Sequence, residues 1–247
     1  MAKSPYRPFT PNPEQLALMP DISGNTLNGL GEADTRRPTP IYWHDPEQLP
    51  HGSLQNWFYT QNSDDPDIIR AREERAEILA IEVPPVSEEP LQQTAQDWTS
   101  QLRDHVATLD MELFGITAFQ PEWAFEGANI TQKWVIMIGI AHDYQQISKA
   151  PALSAGAEVV RQYGRGTKAA KDIATWIRQR GWDATPHGGP MAGPLLLIPP
   201  AIECGFGELG KHGSIINRDY GSSFRLASVL TDIPLLPTQP QSYGVDD

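Results

Sequence analysis

The segment around Lys211 contains residue types that can hold an anion or the polar tail of a cofactor. Its glycines, Gly205, Gly207, Gly210 and Gly213, leave the main chain open to close approach by a ligand. Backbone N–H groups in such a loop bind phosphate well, and the lysine adds a positive charge. The segment matches neither the Walker A nor the Rossmann pattern, so the spacing alone favours a structural turn over a binding loop.

Two sets of residues have side chains suited to acid–base catalysis, the trio 142–144 and the pair Tyr163 and Arg225. Tyr144 follows His142 and Asp143 at the end of an apolar run, where a histidine beside a carboxylate can be oriented for proton transfer. If Tyr163 and Arg225 face one cavity, the phenol can donate a proton while the guanidinium holds an anion. The competing interpretations are that the trio caps a strand, that the tyrosine packs in the core and that the arginine pairs with a carboxylate. Composition and spacing leave this choice open.

The cysteine and histidine content excludes several other classes of site. Cys204 is the only cysteine, so the chain has no internal disulfide and cannot ligate an iron–sulfur cluster by itself. The six histidines form no His-x-x-x-His pair, and there is no Gly-x-Ser-x-Gly elbow. We therefore predict no metal site within the chain and a buried, unreactive Cys204.

Alternating helical and strand patterns supply the framework for these residues. The sequence predicts helices over residues 67–80, from Pro90 to about Thr108 and over residues 155–180 up to Gly181, and a short helix starting at Pro199-Pro200. It predicts strands for LFGITAF, KWVIMIGIA, SIIN and RLASVLTD, the second of them covered on both faces, and a loop for TPHGGPMAGP. We expect an α+β fold, an α/β sandwich with helices packed against a central sheet.

Residues 1–65 differ in composition from the rest of the chain. They are rich in proline and nearly free of periodic apolar patterns, which favours an extended arm. Disorder is the alternative, but aromatic side chains can dock such an arm on a folded body; they are Tyr42, Trp43, Trp57, Phe58 and Tyr59. We therefore predict a wrapping arm over residues 1–65 and one domain over residues 66–240.

The overall charge and hydropathy narrow the range of partners. The formal net charge of −12 argues against a general nucleic-acid binder, which needs a basic face. No apolar run approaches the roughly 18 residues that a membrane span requires, and the N-terminus carries no hydrophobic signal region. From the sequence we expect a globular, cytoplasmic protein.

The segment GFGELGKHGSIINRDYGSSFRLASVLTDIPL resembles the stretch of reductive dehalogenases that precedes their iron–sulfur domain. The likeness extends over about residues 90–240 and includes KWVIMIGIAHDY, EVVRQYGRG, TWIRQRGWDA and PPAIECG. Lys211 stands where the family usually has arginine. The matching residues of the first segment are Gly205, Gly207, Glu208, Gly210, Gly213, Tyr220, Gly221, Arg225, Val229, Thr231, Asp232 and Pro234.

The resemblance implies a cobalamin-binding domain on a nitroreductase-like scaffold, acting on an organohalide. In such enzymes a tyrosine, helped by a basic residue, protonates the organic product. Tyr163 is the match by order and spacing, with Arg225 as the helper and Tyr144 as the competing acid. The loops that the resemblance places beside the corrinoid contain His187, Gly188 and Gly189, and Gly205, Gly207, Glu208, Gly210, Lys211 and Gly213.

The chain departs from the family at its C-terminal end. The family continues into two cysteine clusters that ligate iron–sulfur centres, whereas residues 241–247 contain no cysteine. The resemblance therefore implies a truncated lead-in to an absent iron–sulfur domain, with electrons from a separate ferredoxin-type partner. Three functions stay open: a reductive dehalogenase-like oxidoreductase, a non-catalytic corrinoid-binding protein or truncated remnant, and a flavin-dependent nitroreductase-like reductase.

Overall fold

The computed structural model describes residue 10 and residues 12–21, 32–42, 44–61, 64–190 and 193–245. Its internal contacts divide the chain into two compact units. The first comprises residues 1–34 and 39–61, and the second comprises residues 35–38 and 62–247. The residues considered below as a functional site belong to the second unit.

The first unit contains short helices. Helix α1 spans Pro13–Ala17, helix α2 spans Gly52–Thr60, and a 3₁₀ turn spans Pro46–Gln48. The side chains of Asn12 and Asp45 accept N–H groups where α1 and the 3₁₀ turn begin, and a proline follows each cap. The predicted arm thus contains helical turns as well as extended chain, because caps followed by proline start helices even in a proline-rich segment. The limit at residue 65 and the wrapping stay predictions, and Trp43 lies outside the described residues.

The second unit combines helices with a central antiparallel sheet. Its strands are β1 Leu113–Ala118, β2 Trp134–Ala141, β3 Ala184–His187, β4 Glu208–Leu209, β5 Ile215–Ile216 and β6 Phe224–Thr231. Its helices are α3 Pro66–Ala80, α4 Ala95–Val106, α5 Tyr144–Ile147, α6 Leu153–Arg178 and α7 Ile198–Glu203, with a 3₁₀ turn at Pro121–Trp123. The main sheet has the order β1-β2-β6-β3, and β4 pairs with β5 in a separate ribbon. The predicted α+β fold is confirmed.

Strand β2 lies inside the sheet and is covered on both faces, as its continuous apolar run predicts. Ile138 and Ile140 pack with Ile173 of helix α6 on one face. Met137 packs with Phe206 on the other. Full burial of a side chain of this size stabilises the fold by about 1.5–3 kcal/mol, so this core holds α6 firmly over the sheet.

Helix α3 packs along helix α6. Ile68 and Ala71 are buried against Ala157. Gly164 of α6 permits the close approach, because a Cβ there would lie 3.2 Å from Cδ1 of Ile78. Among the described helices, none combines the length and the apolar character that crossing a bilayer requires.

Helix α4 begins later than the sequence predicts. The hydroxyl of Thr94 accepts the N–H of Asp97 at 3.1 Å, so the helix starts at Ala95 and not at Pro90. A side-chain cap satisfies an N–H group that otherwise lacks a partner, and this favours a helix start at that position. Proline is compatible with the first turn of a helix but does not by itself start a helix. Helix α6 spans residues 153–178, whereas the sequence predicts residues 155–180, so both ends lie two residues earlier than predicted. Gly181, with φ = +81°, follows the last turn of this helix.

Residues 184–187 form the edge strand β3, where the sequence predicts a loop. Ala184 lies opposite Thr231 of β6, and His187 lies opposite Ser228. Pro186 is tolerated because an edge strand has one side without ladder hydrogen bonds. The loop prediction for residues 185–194 is wrong at residues 185–187, because the pairing with β6 stabilises an extended conformation that the local Pro and Gly content does not indicate. Residues 188–190 and 193–194 lie in a loop, as predicted. The predicted strand SIIN is reduced to Ile215–Ile216.

Candidate active site

The first half of helix α6 covers the end of the sheet where β2 ends and β6 begins. Arg225 of β6 lies opposite Ile140 of β2. Gly166 lets the helix approach closely, since a Cβ there would lie 3.4 Å from Cβ of Ala227. One turn earlier, the ring of Tyr163 lies against Arg225, with 4.9 Å between the guanidinium carbon and the ring centroid. The structure therefore brings together the two residues that the sequence proposes as acid and helper.

Arg225 has an aromatic partner and no acidic one among the described residues. Its Nε is sealed from solvent and makes no hydrogen bond. The ion pairs among the described residues engage other cations, namely Arg161, Arg165, Lys168 and Arg178. The carboxylate-pairing interpretation of Arg225 is therefore wrong, and the guanidinium is available to an anion.

A buried carboxylate and a histidine lie at the same end of the sheet. Glu158 is 3% exposed, and its Oε1 accepts the N–H of Asp143 at 2.6 Å and the amide of Gln162 at 2.7 Å. His142 Nδ1 lies 3.8 Å from the same oxygen and makes no hydrogen bond. Burial lowers the pKa of His142 to about 4, the charge of Arg225 adds to this shift, and Glu158 opposes it. His142 is therefore a neutral imidazole near pH 7.

Gln162 continues this network towards the surface. Its Oε1 accepts a hydrogen bond from Arg165 at 2.8 Å, and Arg165 also pairs with Asp110 at 2.6 Å and Glu112 at 2.8 Å. Glu112 in turn accepts the N–H of Ala141, the last residue of β2. The network orients the Gln162 amide so that its NH₂ group faces the buried carboxylate, and it ties helix α6 to the end of β2.

The residues after His142 cap a helix. Asp143 is the N-cap of α5, and its carboxylate accepts the N–H of Gln145 at 2.7 Å. The sequence interpretation expected the trio to cap a strand; Asp143 instead caps the helix that follows the strand. The Tyr144 side chain is 72% exposed, whereas Tyr163 is half-buried against an arginine. Tyr163 is therefore the better placed of the two tyrosines for chemistry shielded from water.

The loop after β3 packs against the same helix. A Cβ on Gly188 would lie 2.6 Å from Cα of Thr167, and a Cβ on Gly189 would lie 2.7 Å from Nη2 of Arg75. Gly189 also has φ = +91°, which favours glycine. Thr167 donates a hydrogen bond to the carbonyl oxygen of Tyr163 at 2.8 Å. The predicted corrinoid-facing loop therefore meets the helical turn that carries the proposed acid.

His187 and Ser228 lie opposite each other across β3 and β6. Because Ala227 and Val229 pack in the core that contains α6, the alternate residue Ser228 points to the other face of the sheet. His187 Nε2 and Ser228 Oγ are both buried without a hydrogen-bond partner. Burial lowers the pKa of His187 to about 4, so this imidazole is also neutral. Each such unpaired atom costs about 1–3 kcal/mol unless a ligand or water satisfies it.

The glycines around Lys211 form the β4–β5 ribbon and its turn. A Cβ on Gly207 would overlap the carbonyl oxygen of Ile216, and Gly205, with φ = +77°, packs against the C-terminal segment. The N–H of Gly213 donates to the carbonyl of Gly210 at 2.9 Å. Internal packing explains Gly205 and Gly207, and the positive φ of +80° explains Gly213, without a ligand.

Glu208 holds the C-terminal segment. Its carboxylate accepts the N–H groups of Val245 at 3.0 Å and Tyr243 at 2.6 Å and the hydroxyl of Ser242 at 2.9 Å. These hydrogen bonds, that of Val245 first, hold the pKa of Glu208 below its ordinary value. Lys211 is exposed. A cofactor-binding role for this segment stays a prediction.

The single cysteine is buried, as predicted. Cys204 is 3% exposed, and burial, with a contribution from Glu203, raises the pKa of its thiol to about 12. The thiol is therefore protonated and unreactive at neutral pH.

The sequence patterns do not single out Glu158, Gln162, Arg75 or Ser228. The four-residue spacing of Glu158 and Gln162 on a predicted helix is a signal that could have revealed this pair. Arg75 and Ser228 reach the site only through helix packing and strand pairing, so no local spacing reveals them.

Comparisons with known proteins agree with this fold. The tetrachloroethene reductive dehalogenase of Dehalobacter restrictus is 33% identical over 135 residues, which is 55% of this chain and 24% of that protein. The catabolic reductive dehalogenase NpRdhA is 16% identical and superposes with a TM-score of 0.66, covering 78% of this chain and 30% of that chain. A reductive dehalogenase structure described in terms of B12-dependent dehalogenation is 18% identical and has a TM-score of 0.58, covering 81% of this chain and 28% of that chain. No family model matches the chain.

The structural and sequence matches carry different information. At 16% and 18% identity, the structural matches show the fold alone. The sequence match shows common descent over about half of this chain, and the chain spans about a quarter of the length of that curated relative. Over the part that it spans, the chain is similar in sequence and in fold to reductive dehalogenases.

Proposed function

We propose that the chain is a cobalamin-dependent, reductive dehalogenase-like oxidoreductase domain. It removes halide from an organohalide with electrons from a separate ferredoxin-type partner. The observation that carries the proposal is the ring of Tyr163, held 4.9 Å from the guanidinium carbon of Arg225. A phenol beside a cation is suited to give up a proton, because the positive charge stabilises the negative charge left on the phenolate.

The overall reaction consumes two electrons and one proton, so that R–X becomes R–H and X⁻. A bound corrinoid supplies the cobalt centre through which electrons reach the carbon–halogen bond. The phenolic hydroxyl of Tyr163 donates the proton to carbon, and Arg225 stabilises the phenolate until solvent returns the proton. Glu158 already accepts hydrogen bonds from Asp143 and Gln162, which leaves the guanidinium facing the tyrosine.

Two buried polar atoms near the loop after β3, on the face of the sheet away from helix α6, support a hydrogen-bonding contact with the corrinoid. His187 Nε2 and Ser228 Oγ are buried without partners, and neutral hydrogen-bonding atoms suit the carboxamide groups of a corrinoid. Gly188 and Gly189 keep the main chain close to helix α6 without side chains that would fill the space. The segment 205–213 is a second proposed border, supported by the family resemblance rather than by an unpaired group.

An anaerobic cobalamin titration of the purified chain, followed by its visible absorption spectrum, tests the proposal. We expect stoichiometric binding and, with titanium(III) citrate as electron source, release of chloride from tetrachloroethene, the compound in the curated relative's name. Binding without turnover would favour a non-catalytic corrinoid-binding protein. A yellow protein with a flavin spectrum and no affinity for cobalamin would overturn the proposal in favour of a flavin-dependent reductase.

A further inference from the structure

Two half-buried arginines of the second unit form no hydrogen bond or ion pair with the residues that the structure describes. Arg75 of helix α3 and Arg225 of β6 each have an Nε that is sealed from solvent and makes no hydrogen bond. Neither takes part in an ion pair recorded for the described part of the chain. A guanidinium keeps its charge even when partly buried. In a chain with a net charge of −12, carboxylates are abundant, so two unpaired arginines call for an explanation.

The two arginines flank the same turn of helix α6. Arg225 stacks on the ring of Tyr163 at 4.9 Å. At the next residue, Gly164, the position of a Cβ lies 3.8 Å from Cβ of Arg75. The Arg75 guanidinium extends to the loop after β3, where Nη2 lies 2.7 Å from the Cβ position of Gly189. Both arginines therefore contact adjacent residues of α6, Arg225 through its guanidinium at Tyr163 and Arg75 through its Cβ at Gly164.

The charged neighbours of this turn are engaged elsewhere. The buried carboxylate of Glu158 accepts hydrogen bonds from Asp143 and Gln162. Glu74 of α3 faces Arg161, with 4.0 Å between Oε2 and Nε. The buried imidazole of His142 is neutral because burial lowers its pKa to about 4. The positive charge of the arginines is thus left for a ligand.

We propose that Arg75 and Arg225 together bind an anionic group, a carboxylate or a phosphate, at the rim formed by Tyr163, Gly188 and Gly189. The planar guanidinium fork matches both kinds of oxyanion. The proposal rests on the proposed function, because it concerns the same site and names the ligand group that this site selects. The anion has two sources: the phosphodiester in the nucleotide loop of cobalamin, or the carboxylate of a halogenated acid.

Ligand pairs in which one member carries an anionic group that the other lacks test this site on the full chain. Cobalamin is compared with cobinamide, which lacks the nucleotide loop and its phosphodiester, and 3-bromobenzoate is compared with 3-bromobenzamide. Each is titrated against the wild type, Arg75→Gln and Arg72→Gln, a matched control that changes an exposed arginine of the same helix. We expect the wild type to bind the anionic member of at least one pair about tenfold more tightly, because a charge-assisted hydrogen bond contributes at least that factor. Arg75→Gln loses this preference and Arg72→Gln keeps it.

The pattern of loss identifies the source of the anion. A loss confined to the corrinoid pair assigns the phosphodiester, and a loss confined to the benzoate pair assigns a substrate carboxylate. Equal affinities within both pairs in the wild type, or a preference that Arg75→Gln retains, overturn the proposal. If circular dichroism shows that Arg75→Gln is unfolded, the proposal is decided by whether the wild type prefers the anionic member of either ligand pair. If the wild type binds neither corrinoid, the proposed function fails, while the benzoate pair titrated on the apoprotein still decides the anion site.

Discussion

Two regions of the molecule differ in whether their buried polar groups have hydrogen-bond partners. One is the glycine segment 205–213. The other is the Tyr163 end of the sheet, formed by His142, Glu158, Tyr163 and Arg225. In and around the glycine segment, Glu208 and the buried Asn217 are satisfied by main-chain partners. At the Tyr163 end, Arg225 Nε and His142 Nδ1 are buried and unpaired. The polar groups of the first region are therefore satisfied within the protein, whereas the second region leaves polar atoms that a ligand can bind.

This difference shows what glycine density does and does not indicate. A glycine is required wherever another main chain approaches closely, whether that chain belongs to the protein or to a ligand. At Gly207 the approaching group is the Ile216 carbonyl. Unpaired buried polar atoms are the more specific sign of a site, because the protein itself gains nothing by keeping them.

The largest effect is expected for Tyr163→Phe. The change keeps the ring against Arg225 and removes the hydroxyl, so dehalogenation falls by about 10²-fold or more while cobalamin affinity stays the same. Chloride release and the cobalamin titration measure the two quantities. Tyr144→Phe is the matched control, because it removes a hydroxyl from a side chain that is 72% exposed. Full activity in Tyr163→Phe, or loss only in Tyr144→Phe, would remove the catalytic assignment.

Gly207→Ala tests whether packing within the protein explains the glycine at this position of the glycine segment. The new Cβ overlaps the Ile216 carbonyl, so we expect a loss of about 2–3 kcal/mol in the free energy of unfolding by urea. Gly213→Ala is the control: φ is +80° but no atom lies within 4 Å of its Cβ position, and only the backbone strain of about 1 kcal/mol remains. Equal costs at the two positions would contradict the packing explanation of Gly207.

Asn217→Ala and Ser228→Ala compare a paired with an unpaired buried polar group. Asn217 Nδ2 donates to the carbonyl of Phe206 at 2.6 Å, and its Oδ1 accepts the N–H of Asp219 at 2.8 Å. Its loss should cost about 2 kcal/mol. Ser228→Ala removes an unpaired hydroxyl and should leave the apoprotein as stable or about 1 kcal/mol more stable. Urea unfolding measures both, and a comparable destabilisation by Ser228→Ala would show that this hydroxyl is satisfied within the protein.

The smallest effect is a local pH dependence at Glu208. Its pKa is depressed in the folded state, so its contribution to stability is fully present above the unfolded value of about 4.5 and is lost as the pH falls through the folded value. The protection factors of the Tyr243 and Val245 amides, whose N–H groups donate to this carboxylate, should therefore fall below about pH 4.5. Glu208→Gln should give lower protection factors than the wild type at neutral pH and show no such transition. A transition that persists in Glu208→Gln would assign the effect to another group.

Local patterns predict the existence of most elements of the second unit. The apolar run of β2 and the apolar stripe of α6 identify a buried strand and its covering helix, because each pattern repeats with the period of its own backbone. The start of α4 is decided by Thr94, and β3 exists through its pairing with β6. A helix cap or a strand pairing depends on individual contacts and leaves no repeating pattern in the sequence. Helix starts and edge strands of this kind are therefore predicted poorly from the sequence.

By itself, the sequence determines the α+β class, the burial of Cys204 and the family resemblance, because residue order and periodicity suffice for each. Only the tertiary structure decides that Tyr163 meets Arg225, that the loop after β3 reaches helix α6, and that Arg75 arrives from helix α3. It also decides that the glycine segment satisfies its own main chain while the Tyr163 end does not. The physical reason is that pairing and burial depend on which segments pack together, and residues far apart in the chain become neighbours only when the core forms.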